Sequence, residues 1–268
     1  IMMAQSPLSI DDYKQIGESQ YVIVYEMSYV NDTSKLDKIY HDEIILEIGS
    51  ELSKSYSYKT YRYDSTYTDS NRKGAHNYPS PKSSAFPVDV VKKYKDKKMT
   101  IYQRTPSDGP IFEYEENMNL FDWKLTSEMK EILGFASIKA TCDFRGRNWA
   151  AWFTMDIPLQ DGPWKFNGLP GLIMRVESEK GDYVFECIRI KNEKRQILLY
   201  DYLYDKSTYD EVSAFLIECH NDFNAYIRRI DPKGGWSIAK RDEVTGKVTF
   251  REVGQNEIVP KPYNPIEM

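Results

Sequence analysis

The stretch TYDEVSAFLIECHNDFNAYIRRID, residues 208–231, decides how the fold is read. Thr208 stands three residues before Glu211, the form of a capping box in which hydroxyl and carboxylate each satisfy a backbone N–H that the first helical turn leaves unpaired. Val212, Phe215, Leu216, Cys219, Phe223, Tyr226, Ile227 and Ile230 then recur at three- and four-residue steps and form one apolar stripe. Pro232 and Gly234-Gly235 supply the stop. A long helix with a single apolar face requires a broad apolar partner, and the remainder of the chain offers strands. The predicted fold is therefore α+β and mainly antiparallel β: a curved, half-barrel-like antiparallel sheet with one long helix packed on its concave face.

Working outward, residues 21–29 are rich in β-branched and aromatic side chains and predict the first strand, with a second over 42–48. From Lys54 to Tyr67, Tyr alternates with Ser, Lys, Arg and Thr near a period of two, which predicts a third. The parity of Tyr56, Tyr58, Tyr61, Tyr63 and Tyr67 changes after Tyr58, so a strand there needs a bulge. Residues 69–87 are expected to be a mobile loop, because Pro79, Pro81 and Pro87 cannot sit inside a ladder. Residues 88–94 read as a short helix, 99–104 and 111–116 as strands joined at the turn Pro106-Ser107-Asp108-Gly109-Pro110, and Val244-Thr245-Gly246-Lys247-Val248 as a further hairpin. Residues 1–6 resemble the small-residue end of a secretory signal peptide, with a tag remnant as the alternative, and 7–268 read as a single domain.

The chain has 268 residues, 41 acidic and 36 basic, for a net charge of −5, and is 41% hydrophobic, which is too apolar for disorder and sufficient for a sizeable core. No Lys/Arg tract offers phosphates a counter-charge, so no nucleic-acid partner is expected. No run approaches the roughly 18 apolar residues of a membrane-spanning helix. Cys142, Cys187 and Cys219 lack C-x-x-C spacing, which leaves both a Cys142 to Cys187 bridge and three buried free thiols open. His41, His76 and His220 fit no H-E-x-x-H pattern, and neither a G-x-S-x-G elbow nor a phosphate loop is present. No metal, no cofactor and no catalytic residue is expected. Asp143, Asp156 and Asp161 are the residual basis for an uncharacterised hydrolase, and Asp156, ahead of Ile157-Pro158, reads better as a turn cap.

Residues 133–177 are the most distinctive. Phe144-Arg145-Gly146-Arg147 places a Gly turn between two strands, and Trp149 to Thr154 alternates large side chains on both faces. Gly162-Pro163-Trp164-Lys165-Phe166-Asn167-Gly168-Leu169-Pro170-Gly171-Leu172-Ile173 follows. Asn167-Gly168 and Pro170-Gly171 read as two successive turns, each Gly taking a positive φ, with Gly168, Pro170 and Gly171 as structural turn residues.

The run Gly168-Leu169-Pro170-Gly171-Leu172-Ile173 resembles the signature of the GLPGLI family, secreted or envelope-attached proteins of Gram-negative Bacteroidota. Phe144-x-Gly146-Arg147, Ala151-Trp152-Phe153-Thr154, Ile157-Pro158, Gly162-Pro163-x-Lys165-Phe166 and Tyr263-Asn264-Pro265-Ile266-Glu267 extend the resemblance over most of residues 120–268. Ser137 departs from it, standing where members often carry Cys, and brings no thiol role. The resemblance implies export, to the periplasm or beyond, and no activity.

Function is then read from surfaces. Trp152, Trp164, Phe166, Leu169 and Leu172 gather around rigid turns and line a groove for an apolar or acyl ligand between sheet and helix, or else fill the core beneath the sheet. The tyrosine run offers a sugar- or peptide-binding face, or ordinary strand composition. Arg145 and Arg147 grip an anion or pair with carboxylates at the hairpin tip. The expectation is an exported, non-enzymatic envelope protein that carries an apolar ligand or lipoprotein. The alternatives are an interaction module of an outer-membrane complex, a glycan-binding protein, and the hydrolase.

Overall fold

The computed structural model describes residues 6–75, 85–106, 109–230, 237–241, 248–252, 258, 260 and 263–268. The first half holds β1 (Tyr13–Tyr29), β2 (Tyr40–Gly49), β3 (Leu52–Ser57), α1 (Tyr58–Arg72), β4 (Val88–Lys93), β5 (Lys98–Arg104), β6 (Ile111–Asn117) and β7 (Lys124–Ile132). The second holds β8 (Phe135–Phe144), β9 (Arg147–Thr154), β10 (Leu172–Ser178), β11 (Tyr183–Asn192), β12 (Gln196–Tyr200) and β13 (Asp205–Lys206), then α2 (Tyr209–Asn221), α3 (Phe223–Ile230), β14 (Ser237–Arg241) and β15 (Val248–Glu252).

The first thirteen strands form one open sheet in the order β13-β6-β5-β4-β3-β2-β1-β11-β10-β9-β8-β7, with β12 paired to the N-terminal part of β1. Every pairing is antiparallel except that of the two-residue β13 with β6. β14 and β15 form a separate ribbon whose turn, at the expected hairpin, lies outside the described residues. The α+β class and the antiparallel sheet are as the strand-rich sequence predicts.

β1 organises the sheet because period-two alternation sends Ile23, Tyr25, Met27 and Tyr29 into the main core and Val22 and Val24 to the opposite face. Its register shifts at Gln15/Gly17 against β12, at Ser19/Tyr21 against β2 and at Val24/Tyr25 against β11, irregularities that bend a strand locally.

The helices differ from expectation. The predicted single rod is two helices, α2 and α3, which part at Asp222 (φ −138°, ψ 83°). Asp222 ends α2, and its Oδ1 accepts the Ala225 N–H, so a side chain that favours caps over helix interiors restarts the chain as a new helix. The capping box at Thr208 and Glu211 forms as predicted. Val212 reaches the main core and Phe215 packs edge-on against Phe112 of β6. Cys219, Tyr226 and Ile227 instead build a small cluster of their own.

The third helix, α1, stands where a strand was expected. The shifted tyrosine parity is helical spacing, 58 to 61 and 63 to 67, and Ser57 caps the helix by accepting the Thr60 N–H. The buried stripe of α1 is polar: Thr60, Asp64 and Thr68. Asp64 is held by Arg104 (2.6 Å), the Tyr13 hydroxyl (3.0 Å) and the Leu8 N–H (2.9 Å), while the Thr68 hydroxyl accepts the Ile10 N–H. The helix covers part of the predicted 69–87 loop, of which 76–84 lie outside the described residues. Residues 88–93, read as a helix, are strand β4, paired on both sides by β3 and β5.

The core face of the sheet, where the long helix was expected to pack, is filled in part by the connection between β9 and β10. Trp164 and Phe166 are fully buried there and sit within 5.0 Å of each other, centroid to centroid, in an edge-on pair. Lys92 of β4 donates to Asp161 (2.5 Å) and to the carbonyls of Gly162 and Phe166, and Asp161 also accepts the Ser53 and Tyr94 hydroxyls. Of the two glycines, Gly168 has the expected positive φ (+89°). Gly171 does not; it is required because a Cβ there would lie 1.9 Å from the Thr154 carbonyl oxygen.

Replacing the two glycines separately distinguishes these roles. Gly168→Ala meets only the Trp123 ring, at an ordinary contact distance of 4.0 Å, and should cost only its backbone conformation, about 1–2 kcal/mol. Gly171→Ala forces backbone apart and should cost at least the upper end of the ~1–3 kcal/mol of overpacking. Urea denaturation midpoints that rank the two variants in the opposite order contradict this assignment.

Candidate functional site

The five side chains read as an apolar ligand site, Trp152, Trp164, Phe166, Leu169 and Leu172, all belong to the main core, and none lines the grooves described below. Trp152 is covered by the ammonium groups of Lys130 (4.1 Å from the ring centroid) and Lys139 (5.6 Å). The turn alternates, with Gly168 and Pro170 exposed and Leu169 and Gly171 buried.

The other motif residues meet each other. Lys165, fully buried, reaches Glu116 (2.6 Å) and Glu267 (2.7 Å), and Arg145 joins both carboxylates while its guanidinium stacks on Tyr209. Arg147 pairs with Asp182 (2.6 Å) and donates to the Asn264 side chain and the Pro265 carbonyl. Both arginines are therefore carboxylate-paired rather than open to an anion. Asp161 is committed to Lys92, Asp156 is exposed, and it is the Thr154 hydroxyl that accepts the Asp156 N–H. All three cysteines are buried and free, with thiols pushed up to about 12 by burial. Among the described residues no group of His, Cys, Asp or Glu is placed to hold a metal, and no helix is long and apolar enough to cross a membrane.

A groove of about 580 Å³ opens on the opposite face of the sheet. Register builds its floor. One cross-strand row runs Lys54, Glu47, Val22, Lys191 over β3, β2, β1 and β11, and the next runs Tyr56, Ile45, Val24, Arg189. The start of α1 adds Tyr58, Thr60 and Tyr61 as a wall, and Tyr13, Asp89 and Arg195 complete the ends.

Aromatic rings step up this wall: Tyr56 meets Tyr61 edge-on at 6.1 Å, and Tyr61 stacks on the half-exposed Tyr58 at 6.4 Å. At the floor, Glu47 is 4% exposed, and its Oε1 lies 2.7 Å from Arg195 and accepts the Tyr56 hydroxyl at 3.2 Å. Burial raises the Glu47 carboxyl, and Arg195 and Lys54 act against that rise. Lys54, also buried, donates to the Leu198 carbonyl (2.7 Å), pairs with Asp89 (3.0 Å) and lies over the Tyr56 ring (4.7 Å). The groove thus combines an apolar strip, ring faces and fixed donors and acceptors. Of the residues singled out from sequence, Tyr56, Tyr58 and Tyr61 belong to it; Glu47, Lys54 and Arg195 carried no motif and become legible only through register.

A second, smaller cavity of about 110 Å³ lies under α2, between Leu216, His220, Tyr263 and the strand residues Tyr29 and Tyr183. His220 stacks on Tyr263 at 3.9 Å, and burial lowers its pKa.

Comparison with known proteins adds fold and little else. A family model described as a protein of unknown function (Porph_ging) matches residues 144–175, from the β8–β9 turn into β10. No curated protein matches the chain. Among solved structures the chain is similar to PNGF-II in a C2 crystal form, at 18% identity with a TM-score of 0.52, and in a P21 form, at 17% identity with a TM-score of 0.51. Both matches cover 76% of this chain and 34% of that one, so the chain spans about a third of the length of PNGF-II. At such identities the likeness is one of fold.

The position of α1, and so of the tyrosine wall, depends on Asp42, which accepts the Phe86 N–H (2.7 Å), the capping Ser57 hydroxyl (2.8 Å) and the Glu43 N–H (2.8 Å). Burial outweighs these bonds and pushes its carboxyl up to about 6. A raised carboxyl favours folding in its protonated form, so its contribution is complete below an unfolded value of about 3.9 and is lost as pH rises through about 6. The stability of the wild type relative to Asp42→Asn should therefore fall between pH 4 and 7, by an amount of order 1–3 kcal/mol. Denaturation series at several pH values check this, and a difference that grows with pH contradicts it.

Proposed function

We propose that this protein is a carbohydrate-binding module of the bacterial envelope, with the tyrosine-walled groove over β1, β2 and β3 as its site. The observation that carries the reading is the ladder of Tyr56, Tyr61 and Tyr58 beside the fixed Glu47–Arg195 pair within one groove. A pyranose ring presents C–H groups on its faces and hydroxyls around its rim. Such a ligand needs a flat apolar surface and, at its edge, groups that both donate and accept. The groove volume falls within the ~300–1,000 Å³ of small-ligand sites. The envelope location rests on the resemblance to the GLPGLI family, and the reading is one of binding.

Carriage of an acyl chain has less behind it. The side chains that would line such a site are core residues, and the cavity beneath α2, at about 110 Å³, is well under the ~300 Å³ lower end of ligand pockets.

A glycan array probed with the full chain, followed by calorimetry on the best hit, tests the reading. Tyr58→Ala with Tyr61→Ala should weaken binding at least tenfold, about 1.4 kcal/mol. Tyr63→Ala, on the same helix but outside the groove, should leave affinity within a factor of two. Equal losses from both variants, or no glycan bound at all, would remove the proposal.

A further inference from the structure

The groove's charges are unevenly satisfied, and the remainder indicates which carbohydrates it takes. Glu47 is matched by Arg195, Asp89 by Lys54, and Arg104 by the buried Asp64 behind the groove. On the β11 side, Arg189 and Lys191 stand two residues apart on one face of the strand, next to Val24 and Val22 of the apolar strip. The Arg189 guanidinium forms no ion pair among the described residues, and Lys191 has only the loose, half-exposed Glu193 at 3.8 Å. The first turn of the fifteen-residue α1 opens onto the same groove and brings the positive end of its dipole. Two carboxylates of the lining lie nearby: Glu193, the loose partner of Lys191, and Glu43 of β2, which forms no ion pair among the described residues and lies across β1 from Arg189.

We infer that the groove selects acidic saccharides, whose carboxylate or sulfate lies against Arg189 and Lys191 while the ring stacks toward Tyr61 and the remaining hydroxyls face Glu43 and Glu47. This rests on the carbohydrate reading above. A guanidinium on a strand face offers paired N–H donors that fit either anion, with Lys191 as a second, mobile charge. On a protein of net charge −5, such a site discriminates by local arrangement rather than by overall attraction.

Calorimetry on the intact chain would compare a tetrameric oligouronate, the same oligomer with its carboxyls reduced, and a sulfated neutral tetrasaccharide with its unsulfated parent. The expected result is at least tenfold tighter binding of an acidic oligomer than of its neutral counterpart in low salt, with the advantage shrinking in 0.5 M NaCl. The uronate and sulfate arms show which anion is preferred. Arg189→Ala with Lys191→Ala, both exposed and outside the core, should abolish the acidic preference, so that each acidic oligomer and its neutral counterpart bind the variant within a factor of two of each other. Equal affinity for acidic and neutral oligomers overturns this inference and leaves the carbohydrate reading standing, as does an acidic preference that survives the double substitution. Absence of binding to every oligosaccharide overturns both.

Discussion

Lys92 and Asp161 meet 2.5 Å apart with neither side chain exposed to water, and the interior is arranged around that contact. A buried ion pair is tolerated only when its remaining donors and acceptors are met, and here they are met by backbone carbonyls of Gly162 and Phe166 and by the Ser53 and Tyr94 hydroxyls. Those bonds tie the β9–β10 connection to β3 and β4, several strands away in the sheet. Trp164, Phe166 and Leu169 are thereby held as a plug on the core face, Trp164 being fixed further by its N–H bond to Ser55. With that volume taken by a loop, the C-terminal helices lie toward β6, and the opposite face of β1 to β3 is left to α1 and the groove.

What was legible in the sequence follows from this division. Residues 21–29 and 42–48 announce themselves by their β-branched and other apolar side chains, which are buried on both faces, Ile23, Tyr25, Ile44 and Leu46 in the main core and Val22, Val24 and Ile45 opposite. The capping box at Thr208 is equally local. Helix α1 was not legible as a helix because its buried stripe is Thr60, Asp64 and Thr68, which no hydrophobic pattern detects; the stripe makes sense only once Arg104 and Tyr13, distant in sequence, are known to meet Asp64. The shifted tyrosine parity was its one local trace. Residues 88–93 misled in the opposite way, since a short apolar run with lysines reads as either element until its neighbours on both sides are known. The continuous stripe of 208–231 hid its break because Asn221-Asp222 leaves the apolar spacing intact while supplying a cap in mid-run.

The most recognisable residues are not those of the groove. Arg145 and Arg147 of the hairpin tip, Lys165 of the plug, and Asn264 and Glu267 near the end of the sequence converge on two charge networks, with Glu116 and Asp182 as partners. Residues far apart in the chain must co-operate there to leave no buried charge unpaired, so each is constrained by the others. A motif built from such residues reports the fold. The matched stretch 144–175 contributes Arg145, Arg147 and Lys165 to these networks and includes the plug.

The groove floor carries the opposite kind of information. Lys54, Glu47 and Lys191 share a row with Val22, beside a row holding Ile45 and Val24. On stability alone, apolar residues would serve at least as well at positions as buried as Lys54 and Glu47, since a desolvated pair seldom outperforms hydrophobic packing of the same volume. What the charged row adds is directionality: Arg195 and Tyr56 hold one Glu47 oxygen, and Asp89 and the Leu198 carbonyl hold the Lys54 ammonium. Polar groups fixed in this way lose little further freedom when a ligand takes the adjacent space, and a pre-ordered floor lowers the entropic cost of binding. The proposed recognition of hydroxyls and an anion would draw on that order, which exclusion of water alone does not require.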